Sequence, residues 1–182
     1  MVSVPNFISL ARLLCVPLAV WLIVTSQMQA AFYVFVAAGI SDAIDGFIAK
    51  RFNARTALGR YIDPLADKAL LVSVYVALGL KGALPDWLVI LVVFRDVLII
   101  GGALLVHTLT NQTMRLEPLL ISKLNTLMQI LLAVAVLAKL GFGFDDRGAA
   151  TGLVYATAAT TALSGAAYIV RWVRGTAAVD TP

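Results

Sequence analysis

The sequence predicts an all-α integral membrane protein, an expectation carried by three observations. Of 182 residues, 61% are hydrophobic and 13% charged, whereas soluble domains carry roughly 25% charged residues. The apolar residues fall into six runs parted by short polar or glycine-containing breaks, each run close to the ~20 residues that a bilayer-spanning helix needs. Four of the 10 acidic residues, Asp42, Asp45, Asp63 and Asp67, crowd into one stretch with apolar runs on both sides. So short a chain accommodates six transmembrane helices and no second soluble domain. Residues 1–175 are therefore read as one membrane domain and 176–182 as a short tail.

The first helix is expected over about residues 7–25, with Ser3 or Asn6 as cap and Gln27 and Gln29 ending the run. The second, 30–52, carries Asp42 and Asp45 towards its C-terminal end, and the third, 57–80, begins with Asp63 and Asp67 and stops at the Gly79–Pro85 break. The fourth, 86–107, holds adjacent Arg95 and Asp96. Residues 108–120, with Arg115, Glu117 and Pro118, read as a surface segment. The fifth helix is expected over 121–140, the sequence GFGFDDRG (141–148) ends it, and the sixth covers 150–173. Trp21, Trp87 and Trp172 lie near span ends, where an indole anchors at the headgroup level.

Charge sets orientation and narrows the partners. With the N-terminus inside, the cytoplasmic connections and C-terminal end carry Lys50, Arg51, Arg55, Arg60, Arg115, Arg171 and Arg174, against Lys81, Lys139 and Arg147 outside. Basic loops stay in the cytoplasm, so both termini are expected there, and the acidic stretch faces the same side. The net charge of +4 sits in short clusters suited to anionic membrane lipid rather than to nucleic acid. A single cysteine, Cys15, excludes an intramolecular disulfide. The opening MVSVPNFISLARLL has no basic leader or small-residue cleavage pattern, which favours retention in a bacterial cytoplasmic membrane.

The acids carry the chemistry. Asp42 and Asp45 are three residues apart and Asp63 and Asp67 four apart, so each pair shares a helix face. If helices two and three are antiparallel neighbours, the four carboxylates converge in an active site between them, facing the cytoplasm. Like charges in a partly desolvated place repel unless cations neutralise them. An all-carboxylate set suits a hard cation, Mg²⁺ or Mn²⁺, and such ions hold phosphates during phosphoryl-type transfer. Gly46 and Gly59 each cost about 1 kcal/mol relative to Ala in a helix. Their place beside the acids points to close approach of a ligand or a helix. A small cation or proton transporter would also use intramembrane aspartates. Here, however, the acids occupy one half of the chain, and no repeat of fixed period pairs the halves.

The arrangement Asp42-x2-Asp45-Gly46-x2-Ala49-Lys50-x8-Gly59-x3-Asp63-x3-Asp67 resembles the signature of the CDP-alcohol phosphatidyltransferase family. Seven of eight positions match; Lys50 stands where the family has Arg. Pro5-Asn6-x2-Ser9-x2-Arg12 is similar to the family's N-terminal segment. The resemblance implies that Asp42, Asp45, Asp63 and Asp67 bind metal, in a site for two ions, and that Asp67 is the catalytic base for the acceptor hydroxyl. It implies that Asp42, Gly46, Ala49, Lys50 and Gly59 bind the cytidine diphosphate of CDP-diacylglycerol, and that the protein is a homodimer. Lys50 keeps the charge but loses the planar fork of Arg.

The acceptor alcohol is read from helices four and five. Phe94-Arg95-Asp96-Val97 resembles the Arg-acid pair of the phosphatidylglycerophosphate and cardiolipin synthase branch, and Ala103 stands where the former tends to have a second Arg. Ser122-Lys123-Leu124-Asn125-Thr126 with Gln129 is similar to the segment of CMP-forming cardiolipin synthases, whereas glycerol 3-phosphate users more often have Lys where this chain has Asn125. Both differences imply phosphatidylglycerol as acceptor, with glycerol 3-phosphate as the alternative. Arg12, Arg95, Lys123 and Asn125 are the expected acceptor-binding residues. Arg95 and Asp96 also admit a purely structural pairing, and Arg12 a contact with headgroups.

Overall fold

Each apolar run forms one helix in the computed structural model: α1 Val4–Val24, α2 Met28–Phe52, α3 Gly59–Leu80, α4 Asp86–Thr110, α5 Leu120–Phe142 and α6 Ala149–Ala177. The structure describes the backbone of residues 4–52, 59–110, 119–143 and 148–177, and the side chains of 13–41, 68–102, 119–143 and 148–172. No strand occurs among the described residues. Helix α6 continues past the apolar stretch to Ala177, through Arg171 and Arg174. Hydropathy marks a bilayer-length run, but Arg is a good helix former and does not end the helix.

The ends of α1 and α3 show why the breaks fall where they do. After α3, the Ala83 amide donates to the Leu78 carbonyl (2.9 Å) and the Gly82 amide to that of Gly79 (2.7 Å), with Gly82 at φ +68°. This double closure satisfies carbonyls that have no partner within the helix, and its left-handed residue is ordinarily glycine. The end of α1 closes in the same way, Gln27 to Leu22 (2.8 Å) and Ser26 to Ile23 (3.0 Å), but a serine takes the left-handed position at φ 62°. Lys81 Nζ donates to Ser26 Oγ at 3.0 Å, tying the two turns together. Asp86 occupies the first turn of α4, where its charge complements the helix dipole.

The chain divides into two compact units, residues 1–84 with 133–147, and residues 85–132 with 148–182. In the first, α1 packs against both α2 and α3. The core is built from Ala19, Leu22 and Ile23 of α1, Ala31, Phe35 and Ala38 of α2, and Leu70, Val74 and Leu78 of α3, at the three- and four-residue spacing of one helix face. Its alanines let the backbones approach closely, as small residues do at helix contacts in membranes. At the end of α5, Phe142 meets Phe32 edge-on (ring centroids 5.3 Å apart), and Gly141 abuts the backbone of Gln29.

In the second unit α4 packs against α6, and polar side chains share the buried positions with Leu88, Val92 and Leu132. Arg95, Asp96, Asn125, Gln129, Thr157, Thr161 and Ser164 are buried, while Ile90, Phe94, Val97, Leu127, Tyr155 and Leu163 are exposed. Among the described residues, Leu120–Phe142 and Ala149–Trp172 are long and apolar enough to cross a membrane. Leu13–Val24, Met28–Ser41 and Lys68–Leu80 are shorter apolar helical stretches, each continuing as helix beyond the described side chains.

Candidate functional site

The acidic positions lie on two helices of the first unit. Asp42 and Asp45 fall in the C-terminal half of α2, and Asp63 and Asp67 in the first turns of α3, with regular helical backbone at all four. Helical spacing puts each pair on one face. Their side chains, like those of Gly46, Ala49, Lys50, Gly59 and Arg12, lie outside the described residues. The donor set is carboxylate only, which fits a hard divalent cation. No group of three metal-ligating residues occurs among the described side chains.

The second unit presents a buried polar seam where α4, α5 and α6 meet. Arg95 is 3% exposed. Its Nη1 donates to Asp96 Oδ1 at 2.6 Å, and its Nη2 to Ser122 Oγ on α5 (2.6 Å) and Ser164 Oγ on α6 (2.5 Å). The guanidinium carbon lies 6.0 Å from the centre of the Tyr168 ring, within cation–π range. Here α6 passes close to Arg95: a Cβ at Gly165 would stand 3.7 Å from Arg95 Cγ, an ordinary van der Waals contact. One turn along α5 from Ser122, Asn125 is fully buried, and its Oδ1 accepts from Thr160 Oγ1 (3.0 Å) and Thr161 Oγ1 (2.8 Å). Arg95 Nε and Asn125 Nδ2 are among the buried donor atoms that have no hydrogen-bond partner.

Of the expected acceptor-binding residues, the structure brings Arg95 and Asn125 to one seam, since Ser122 and Asn125 are a turn apart on α5, and Thr161 and Ser164 a turn apart on α6. Lys123 is exposed, outside the buried set. The α6 contribution was not singled out from the sequence. Its signal is nonetheless present: Thr157, Thr161, Ser164 and Tyr168 recur every three to four residues, and all four are buried. In a helix otherwise rich in alanine, such a polar stripe marks the side facing other helices.

The family model for CDP-alcohol phosphatidyltransferase matches residues 2–172. A Homo sapiens protein named cardiolipin synthase (CMP-forming) is 36% identical over 181 residues, covering 91% of this chain and 60% of its own. An Oryza sativa subsp. japonica protein named CDP-diacylglycerol–glycerol-3-phosphate 3-phosphatidyltransferase 1, chloroplastic, is 33% identical over 187 residues, 93% of this chain and 57% of its own. A Streptomyces coelicolor protein named cardiolipin synthase (CMP-forming) is 36% identical over 104 residues, 54% of this chain and 48% of its own. The chain thus spans roughly three-fifths of the length of the first two relatives. With a match that enters all six helices and takes in the whole acid–glycine signature, the chain belongs to the CDP-alcohol phosphatidyltransferase family.

Proposed function

We propose that the chain transfers a phosphatidyl group from CDP-diacylglycerol to phosphatidylglycerol, forming cardiolipin and releasing CMP. The observation that carries this reading is the spaced set Asp42, Asp45, Gly46, Gly59, Asp63 and Asp67 within a family match over residues 2–172. The human relative's name supports cardiolipin as product. The rice relative's name supports the alternative, transfer to glycerol 3-phosphate. Ala103 and Asn125 favour the first, because each stands where a further cation would hold a free phosphomonoester.

In this reading Asp42, Asp45, Asp63 and Asp67 hold two Mg²⁺ or Mn²⁺ ions, which when bound neutralise the diphosphate and the charge that develops on its oxygens. Gly46, Ala49 and Gly59 leave room for the cytidine diphosphate, and Lys50 and Asp42 complete its pocket. Asp67 takes the proton of the acceptor hydroxyl. The acceptor oxygen attacks the phosphorus attached to diacylglycerol, the bond from that phosphorus to the CMP oxygen breaks, and CMP leaves with the electron pair. Arg12, Arg95, Lys123 and Asn125 serve the acceptor. The six helices cross the bilayer with both termini and the acids at the cytoplasmic face, supported by the distribution of basic residues. A homodimer follows from the family resemblance.

The test is an acceptor panel. Purified protein in vesicles receives radiolabelled CDP-diacylglycerol, Mg²⁺ or Mn²⁺, and phosphatidylglycerol, glycerol 3-phosphate, serine or inositol phosphate in turn. Labelled cardiolipin with the first is expected. Labelled phosphatidylglycerophosphate as the main product selects the alternative, and ion flux across the vesicle without CMP release replaces transfer with transport.

A further inference from the structure

Trp172 lies near the C-terminal end of α6, where an indole anchors at the headgroup level. Its packing shows a second use. A Cβ built at Gly102 on α4 would overlap Cη2, Cζ3 and Cζ2 of the Trp172 ring, so the far edge of the indole rests directly on the glycine backbone. The indole Nε1 is buried. At the adjacent Gly101 the same atom would meet open space. The notch therefore lies on the side of α4 that packs against α6, and a side chain at position 102 displaces the ring.

From that notch a run of ring contacts leads to Arg95. Trp172 lies against Tyr168, one turn back on α6, with ring centroids 6.2 Å apart and planes at 51°. Tyr168 is buried, and its ring centre stands 6.0 Å from the Arg95 guanidinium carbon. Arg95 and Gly102 fall two turns apart on one face of α4. Arg95 meets Ser164 as Gly102 meets Trp172, so α4 and α6 run parallel here in a single register. Hydrogen bonds at Nη1 and Nη2 hold the edge of the guanidinium. A planar group held along one edge can still tilt, and a ring beside its face limits that tilt.

We propose that Trp172, seated in the Gly102 notch, is a positioning residue for Arg95: its ring fixes Tyr168, and Tyr168 fixes the plane of the guanidinium. The end of α6 is thereby coupled to a side chain two turns deeper in the unit. The coupling is a property of the folded chain alone. Its effect on turnover rests on the reading above, in which Arg95 serves the acceptor.

The first measurement needs no turnover. Thermal unfolding of full-length wild type, Trp172→Leu, Arg95→Gln and the double variant in detergent forms a double-mutant cycle, repeated with Tyr168→Leu in all four proteins. The loss of midpoint caused by Trp172→Leu is expected to fall by about half once Arg95 is already replaced, and this coupling to vanish without Tyr168. Additive losses, or coupling that survives Tyr168→Leu, overturn the proposal. The second measurement is CMP release in vesicles with phosphatidylglycerol as acceptor. Gly102→Ala is expected to raise KM for phosphatidylglycerol about fivefold while KM for CDP-diacylglycerol moves less than about twofold. Gly101→Ala should leave both constants unchanged, and Trp172→Phe, which keeps a ring against Tyr168, should stay within about twofold of wild type. In a Trp172→Leu background Gly102→Ala should add nothing, because the ring it displaces is gone. A rise that falls equally on both substrates, or the full rise in the Trp172→Leu background, overturns the proposal. Where the Arg95 variant does not fold, the kinetic comparison decides alone, and equal acceptor KM in Gly102→Ala and Gly101→Ala overturns it. Coupling in the unfolding cycle with wild type that releases no CMP refutes the transfer reading and leaves the positioning standing.

Discussion

Single side chains decide whether the chemistry runs. A general base contributes about 10²–10⁴-fold to rate. Asp67→Asn, which keeps the shape but cannot take the hydroxyl proton, is accordingly expected to lower kcat by about 10³-fold. KM for CDP-diacylglycerol should move far less, and a radiolabel assay of the variant checks this. Turnover near the wild-type rate would remove Asp67 from the role of base. At this scale the sequence displays rare side chains in an apolar setting, the four aspartates, Arg95 and Asn125, and the structure buries the last two. The α6 hydroxyls that meet Arg95 and Asn125 do not stand out in that way. Ser164 and Thr161 are small hydroxyls on an alanine-rich helix, and the same residues can bond to their own helix backbone, as Thr161 does to the Thr157 carbonyl at 2.7 Å. What gives them a second role is contact with Arg95 and Asn125, 69 and 36 residues away in sequence, a separation that no local pattern encodes. Lys123 shows the opposite limit. It belongs to a motif-like segment, yet it is exposed while Asn125, two positions on, is buried.

At the scale of elements, close approach is set by residues with no side chain. A Cβ at Gly141 would come within 2.9 Å of the Gln29 backbone, where nothing yields without moving α5 or the start of α2. Gly101, by contrast, has open space around the same atom. Gly141→Ala is therefore expected to destabilise the protein by about 1–3 kcal/mol, the usual cost of overpacking, whereas Gly101→Ala adds an apolar methyl to open space and should be neutral or mildly stabilising. Thermal unfolding of the two variants side by side checks the contrast. The six helices themselves were legible because each apolar run has a break with a local cause, such as Gly82 and Pro85 between α3 and α4. Ends were less legible. The sequence marks Gln27 and Gln29 as the stop of the first run, but the chain turns at Ser26, a residue that rarely takes a left-handed backbone and is held there by Lys81 from another turn.

For the whole molecule, the metal requirement proposed for the acids should be absolute. Chelation is expected to abolish CMP release and Mg²⁺ or Mn²⁺ to restore it, measured on one reconstituted sample by adding EDTA and then the ion in excess. Release that persists after chelation would leave the carboxylates without their proposed purpose. The polarity of the second unit carries a different consequence, which concerns the order in which the chain is made. Ser122 lies 27 residues beyond Arg95, and Ser164 lies 69 residues beyond it. If α4 spans the bilayer as proposed, it enters before α6 can pack against it, so Ser164 is not beside Arg95 at that stage. An arginine at the centre of an inserting helix costs about 2.5–3.5 kcal/mol even on the most lenient scale. Asp96 needs no such arrival, because it is the next residue in the chain. The adjacent pair is thus a travelling companion for the charge during synthesis: α4 can enter the bilayer with its cation escorted, and the seam is completed only when the last helix arrives to take over part of that duty.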